Sequence, residues 1–259
     1  MECKSEPTAR IRFFEELNDF VPPDRRKVWS TVRVPCSPAV KDVIQSRGVP
    51  HTEVDLVVVN GESVDFSYRV KPDDRIAVYP VFESLDISSL ARLRPRPLRR
   101  PRFICDVHLG KLARNLRLLG IDTAYENDYE DAVIVDVSRR ERRAVLTRDR
   151  GLLMRSGVVR GYCVRSTDPR VRTAEVIERF DLADSLSPLT RCSRCNGPIA
   201  DVRVEDVWDE VPPRTREHCR RFGTCRTCGR VYWHGSHVRS ILEMAGLASP
   251  ENKSKQYPS

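Results

Sequence analysis

No run of about 18 or more apolar residues occurs in the 259-residue chain, so no membrane-spanning helix is expected. The opening residues, MECKSEPTAR, lack the apolar core of a secretory signal, and the expectation is a cytoplasmic protein. A reducing compartment and an odd count of nine cysteines both argue against a disulfide framework, which leaves metal binding or inert burial. Acid is in short supply against base, 37 residues to 45, for a formal net charge of +8. Natural partners are therefore anionic, and RNA, DNA and membrane surfaces all qualify. The length suggests about two domains, each able to bury a core.

The first stretch, residues 8–83, reads as a sheet with one helix. Arg10 to Phe14 and Val32 to Val34 are strands, separated by a loop from Asn18 to Lys27 that carries Pro22 and Pro23. Ser37 and Pro38 read as a helix start, followed by an apolar face of Val40, Val43 and Ile44, with Gly48 as the stop. Asp55 to Val59, Asn60-Gly61 and Glu62 to Phe66 form the strongest hairpin signal in the chain, and Arg75 to Val81 closes the set. This order suits a β-grasp sheet and looks like the ubiquitin-like and sulfur-carrier domains. The carriers need a free Gly-Gly end, whereas this last strand runs on through Pro80, Phe82 and Glu83.

Residues 84–101 form an Arg/Pro-rich linker. Arg92 to Arg102 holds six arginines, three prolines and no acid. It reads both as a stiff spacer and as a phosphate-contacting arm through Arg96, Arg99 and Arg100, two compatible roles.

From 102 to 185, strands alternate with helices, which predicts an α/β domain with a parallel sheet and right-handed crossovers. In such sheets ligands bind beyond the carboxyl ends of the strands. Asp106, Asp128, Asp131 and Asp149 all fall at or just past those ends. Gathered carboxylates repel one another, so such a cluster persists at neutral pH mainly with a cation, and hard oxygen ligands select Mg2+ or Mn2+. Asp106 and Asp149 directly follow strands; Asp131 opens a helix, where capping competes; Asp128 ranks after them. Lys111, Arg114 and Arg117 stripe one face of the first helix, a second set of candidate RNA contacts.

Two Cys-x-x-Cys pairs, Cys192 with Cys195 and Cys225 with Cys228, lie within residues 188–245, 29 residues apart. Four thiolates from two tight turns suit tetrahedral Zn2+ in a closed, structural site. A redox dithiol is the alternative, yet neither pair opens a helix as that chemistry prefers. Cys219 with His218 is a further ligand candidate, with a bystander role as the simpler reading. Cys105 and Cys163 read as small core residues. Residues 246–259 read as a disordered tail.

Phe103 to Gly120 (FICDVHLGKLARNLRLLG), Leu146 to Asp149 (LTRD), Arg191 to Gly197 (RCSRCNG) and Cys225 to His237 (CRTCGRVYWHGSH) together resemble the Mut-seven C-terminal RNase domain family, PIN-like nucleases with a zinc ribbon. The first stretch resembles the ubiquitin-like domain often joined to it. The resemblance implies metal-dependent RNA cleavage; an endonucleolytic cut is the expected form, with exonucleolytic trimming the alternative. It matches Asp106 and Asp149 to the family's acidic positions and Asp131 to the acid that opens its second helix. Here that acid is followed by Ala132 and Val133. Two other readings stand beside it: a non-cleaving RNA-binding or ribosome-associated module, and a ubiquitin-like adaptor.

Overall fold

A computed structural model of the chain describes residues 6–80 and 101–233 and the single positions 93, 240 and 243. Arg96, Arg99, Arg100 and the tail 246–259 lie outside these. The described chain forms two compact units. One gathers residues up to 93 with residues 148–163; the other holds 101–147 and 164 onward. The units are therefore not contiguous in sequence, and residues 148–163 fall with the β-grasp portion rather than with the stretch that surrounds them.

In the first unit, β1 (Thr8–Phe13), β2 (Ser30–Arg33), β3 (Val54–Val59), β4 (Glu62–Val64) and β5 (Arg75–Pro80) form a sheet in the order β2-β1-β5-β3-β4. β1 and β5 run parallel and the other pairs antiparallel. Alternation sets the faces: Ile11, Phe13, Ile76 and Val78 are buried, while Arg10 and Arg75 point to solvent. Asn60 and Gly61 turn the β3–β4 hairpin at positive φ, 52° and 93°, the backbone a two-residue turn requires there.

Helix α1 (Val40–Gln45) buries Val40, Val43 and Ile44 as expected. Its start differs. Ala39 holds the N-cap position without a side-chain cap, and Cys36 and Ser37 both take positive φ in the turn out of β2, so Ser37 shapes the turn instead of capping the helix. The segment expected as a plain loop carries two short 3-10 turns, Glu15–Phe20 and Pro23–Arg25. Asn18 orders it, its amide donating to the Phe13 and Glu15 carbonyls and its oxygen accepting from Lys27 N–H at 2.7 Å.

The alternating pattern then yields β6 (Phe103–Cys105), α2 (Gly110–Leu118), β7 (Thr123–Ala124), α3 (Asp131–Glu141), β8 (Ala144–Thr147), α4 (Arg150–Met154), β9 (Gly161–Cys163) and α5 (Pro169–Arg179). Strand order is β7-β6-β8-β9, with β6 parallel to both β7 and β8. Every residue of β6 and β8 is buried, as strands covered on both faces must be. Phe103 meets Phe180 edge to face at 4.8 Å, and the Asn115 amide of α2 donates to the Thr173 hydroxyl of α5 at 3.0 Å. A final antiparallel sheet of β10 (Ile199–Val202), β11 (Phe222–Cys225) and β12 (Val231–Trp233) follows, with helix α6 (Pro213–His218) before β11. Val207, Val211 and Phe222 form its small core, with Cys219 packed against them.

A charged joint ties this last sheet to the α/β portion. Arg143 pairs with Asp122 at 2.6 Å and with Glu141 at 2.7 Å, while Arg191 and the Asn196 amide reach the same Asp122. Burial pushes the Asp122 carboxyl up, but the hydrogen bonds from Arg143 and Asn196 outweigh it and hold it below the ordinary range. A depressed folded pKa gives stability that is complete above the unfolded value and is lost as pH falls through the folded one. Asp122→Ala should therefore cost about 1–3 kcal/mol in urea unfolding at pH 7, since it removes one of the two carboxylates paired with the buried Arg143 and leaves the Asn196 amide without its acceptor. The difference from wild type should shrink below about pH 4. Equal stabilities at pH 7 would refute this.

Candidate functional site

Strand β6 ends at Cys105, and Asp106 follows at once with only 6% of its surface exposed. A buried carboxylate needs donors. Its Oδ1 accepts the His108 N–H at 2.8 Å, and its Oδ2 accepts the hydroxyl of Thr147, the last residue of β8. The chain then enters α2 at Gly110, where a Cβ would lie 2.6 Å from the Tyr125 hydroxyl oxygen, so a larger residue would require the Tyr125 ring to move. That hydroxyl donates to the Val107 carbonyl at 3.1 Å and braces the turn after Asp106. Cys105 is fully buried, its thiol pushed up in pKa by burial and by the neighbouring Asp106, which matches an inert core role.

Asp149 lies two residues past β8 and caps α4, its Oδ1 accepting the Gly151 N–H at 2.7 Å. Its side chain is exposed. Asp106 and Asp149 thus repeat one motif, a strand followed by an aspartate that accepts the amide two residues on. Asp131 is the first residue of α3, half-buried, one past the N-cap Glu130, which makes no capping bond. Asp128 is exposed on the turn between β7 and α3. Among the described residues, the four cysteines form the one group of three or more His, Cys, Asp or Glu donors close enough to share an ion.

The basic stripe on α2 divides. Lys111 and Arg114 are exposed, but Arg117 is 4% exposed and does not belong to an RNA-facing surface. Successive steps of three residues drift by about 60° around a helix, so Arg117 lies about 120° from Lys111 and enters the interior. There it donates to the carbonyls of Thr123 at 2.7 Å, Tyr125 at 3.2 Å, Ser193 at 3.3 Å and Arg194 at 2.7 Å. It joins β7 to the first cysteine turn. Asn196 does the same from the other side, accepting Thr123 N–H and donating to Asp122.

The cysteine turns converge as the spacing predicts. All four Sγ atoms lie within 4.8 Å of one another, with Cys192 to Cys228 at 3.6 Å and Cys195 to Cys225 at 3.4 Å. Zinc–sulfur bonds of about 2.3 Å in a tetrahedron separate the sulfurs by about 3.8 Å, so the four residues fit zinc. Burial opposes a Cys192 thiolate, but the Tyr232 hydroxyl and the N–H groups of Cys195 and Arg194 donate to the sulfur and lower its pKa to about 6. Cys195 is pushed the other way, by burial first and by its thiol neighbours. Cys219 stays outside the group, half-buried against the Phe222 core, and His218 is exposed. Sequence reasoning missed Thr147, Asn196 and Tyr232; each lies in or beside a motif it had singled out.

A ubiquitin-like sheet, a parallel α/β portion with a buried acid past its inner strand, and a four-cysteine knuckle able to hold a structural metal define an α/β protein with a metal-type knuckle. The family comparisons make this particular: the Mut7-C RNAse domain matches residues 101–245, and the Mut7-C ubiquitin domain matches residues 6–86. The first alone spans more than half of the chain, which belongs to this family and is in general terms a nuclease-like hydrolase. Neither a curated protein nor a solved structure matches it. Among the described residues, no helix is long and apolar enough to cross a membrane.

Proposed function

We propose that this chain is a metal-dependent ribonuclease that cuts RNA phosphodiester bonds internally, with Asp106, Asp131 and Asp149 as its acidic residues. The observation that carries this reading is Asp106, a buried carboxylate past the end of an inner parallel strand, in a chain of an RNase family. Three carboxylates offer hard oxygen donors, a set whose chemistry fits Mg2+ or Mn2+, and they would be its ligands. An ion held there would polarise the scissile phosphoryl group and lower the pKa of the attacking water. The chain's own part is positioning: Thr147 and His108 N–H fix both oxygens of Asp106, and Gly151 N–H fixes one of Asp149.

Lys111 and Arg114 would hold the RNA backbone by charge, without reading bases. RNA is the partner in this reading, and Arg96, Arg99 and Arg100 would extend the same contact. A circular RNA offers no ends, so its cleavage separates an internal cut from stepwise trimming. The purified chain should linearise it in Mg2+ or Mn2+ and not in EDTA, and Lys111→Glu with Arg114→Glu should weaken RNA binding and flatten its salt dependence. Intact circular and linear RNA under all metal conditions would end this reading and leave a non-cleaving RNA-binding module.

A further inference from the structure

The most unexpected feature of the first unit is its membership: residues 148–163 are part of it, although they are separated from the β-grasp sheet by most of the α/β portion. Polar ties run between the two. The Arg150 guanidinium donates to the Phe20 carbonyl at 3.2 Å and to that of Asp19 at 3.4 Å, and lies 4.9 Å over the Phe20 ring. The Gln45 amide, at the end of α1, donates to the Met154 carbonyl at 2.8 Å. His51 reaches the Val158 carbonyl through Nε2 at 2.9 Å; a carbonyl only accepts, so Nε2 carries the proton and Nδ1 is free to accept from Gln45 at 3.3 Å. Glu53, with no exposed surface, accepts the Cys163 N–H at 2.5 Å.

These contacts fall at residues 150, 154, 158 and 163, and all but the first grip backbone groups. Backbone grips fix the path of a segment and not merely one side chain. α4 has only five residues, too few to hold its shape alone in water. Asp149 is its N-cap, so the direction of that carboxylate follows the placement of α4.

We propose that the β-grasp sheet is a built-in clamp that positions Asp149: Gln45, His51 and Glu53 are positioning residues for that carboxylate, acting through the backbone of residues 150–163. This rests on the assignment of Asp149 in the proposed function. In this chain the ubiquitin-like domain is then part of the catalytic apparatus and not a tethered adaptor.

The test uses the full chain carrying Gln45→Ala, Glu53→Leu or the conservative Glu53→Gln, which keeps an acceptor oxygen for Cys163 N–H. Amide exchange without RNA is read first. Gln45→Ala and Glu53→Leu should speed exchange over residues 150–163 by about tenfold, the equivalent of one hydrogen bond, with β6 and β8 unchanged and Glu53→Gln near wild type. Turnover is read second: kcat should fall by a similar factor at unchanged KM, with Glu53→Gln restoring it. Unchanged exchange over 150–163, or a rise spread evenly over the chain, overturns the clamp. Exchange needs no cleavage, so a chain that clamps but cuts no RNA would refute the assignment of Asp149 while the clamp itself stands. Faster exchange with unaltered kcat would refute the positioning role.

Discussion

Asp106→Asn should leave a folded protein that binds RNA and cuts it at least about 1,000-fold more slowly. The size follows from the several kcal/mol that metal-assisted charge stabilisation contributes to phosphoryl transfer, each 1.4 kcal/mol being a factor of ten. The preserved fold follows from the partners. The asparagine oxygen can keep the His108 N–H, and its amide can donate to the Thr147 hydroxyl, which turns from donor to acceptor at little cost. The substitution therefore removes the charge and keeps the hydrogen bonds. Asp106→Leu would also lose activity but would strand one buried and one part-buried donor, at about 1–3 kcal/mol each. Thermal melting together with kcat separates the two variants. If Asp106→Asn cuts RNA at the wild-type rate, the carboxylate is only a cap for the turn after β6 and the ribonuclease reading fails.

Removing the metal from the cysteine knuckle should have the second large effect. Four sulfurs already within 4.8 Å of one another, with Cys192 held as a thiolate near neutrality, are arranged for one zinc per chain. Structural zinc contributes about 10 kcal/mol or more to small folds that depend on it, far beyond what the short core of Val207, Val211 and Phe222 supplies. Exchange into a strong chelator, or Cys225→Ser, should take zinc content from one to zero and open residues 191–233 to proteolysis. Because the ligands must be deprotonated, retention should weaken on acidification and not on raising the pH. A metal-free chain whose knuckle resists protease as before would show that its own core and the Asp122 joint hold it, and that the metal is not structural.

Much of this architecture could be read from the residues, because the informative ones carry their own signatures. Alternating apolar positions and Asn60-Gly61 give the β-grasp sheet, and the paired Cys-x-x-Cys turns favour a metal knuckle over a redox dithiol. What stayed hidden are interactions made by groups that every residue has. The carbonyls of Met154 and Val158 leave no mark in the sequence, so nothing there ties them to Gln45 and His51 more than 100 positions earlier. Arg117 misled for a different reason: spacing by threes looks like a stripe over two turns, but its drift carries the third member inside. Ser37 looked like a cap because Pro38 follows it, and the positive φ of Cys36 and Ser37 is a backbone choice that neither residue type advertises.

Arg117 has one more consequence, and it concerns the order in which the chain is made. Synthesis runs from the amino to the carboxyl end, so α2 and β7 exist while Ser193 and Arg194 are still to be added. Until they arrive, a guanidinium destined for the interior has the carbonyls of Thr123 and Tyr125 and lacks its other two acceptors. The edge strand likewise waits for Asn196 to receive the Thr123 N–H. The α/β portion thus reaches its full set of internal bonds only after the first cysteine turn has been translated.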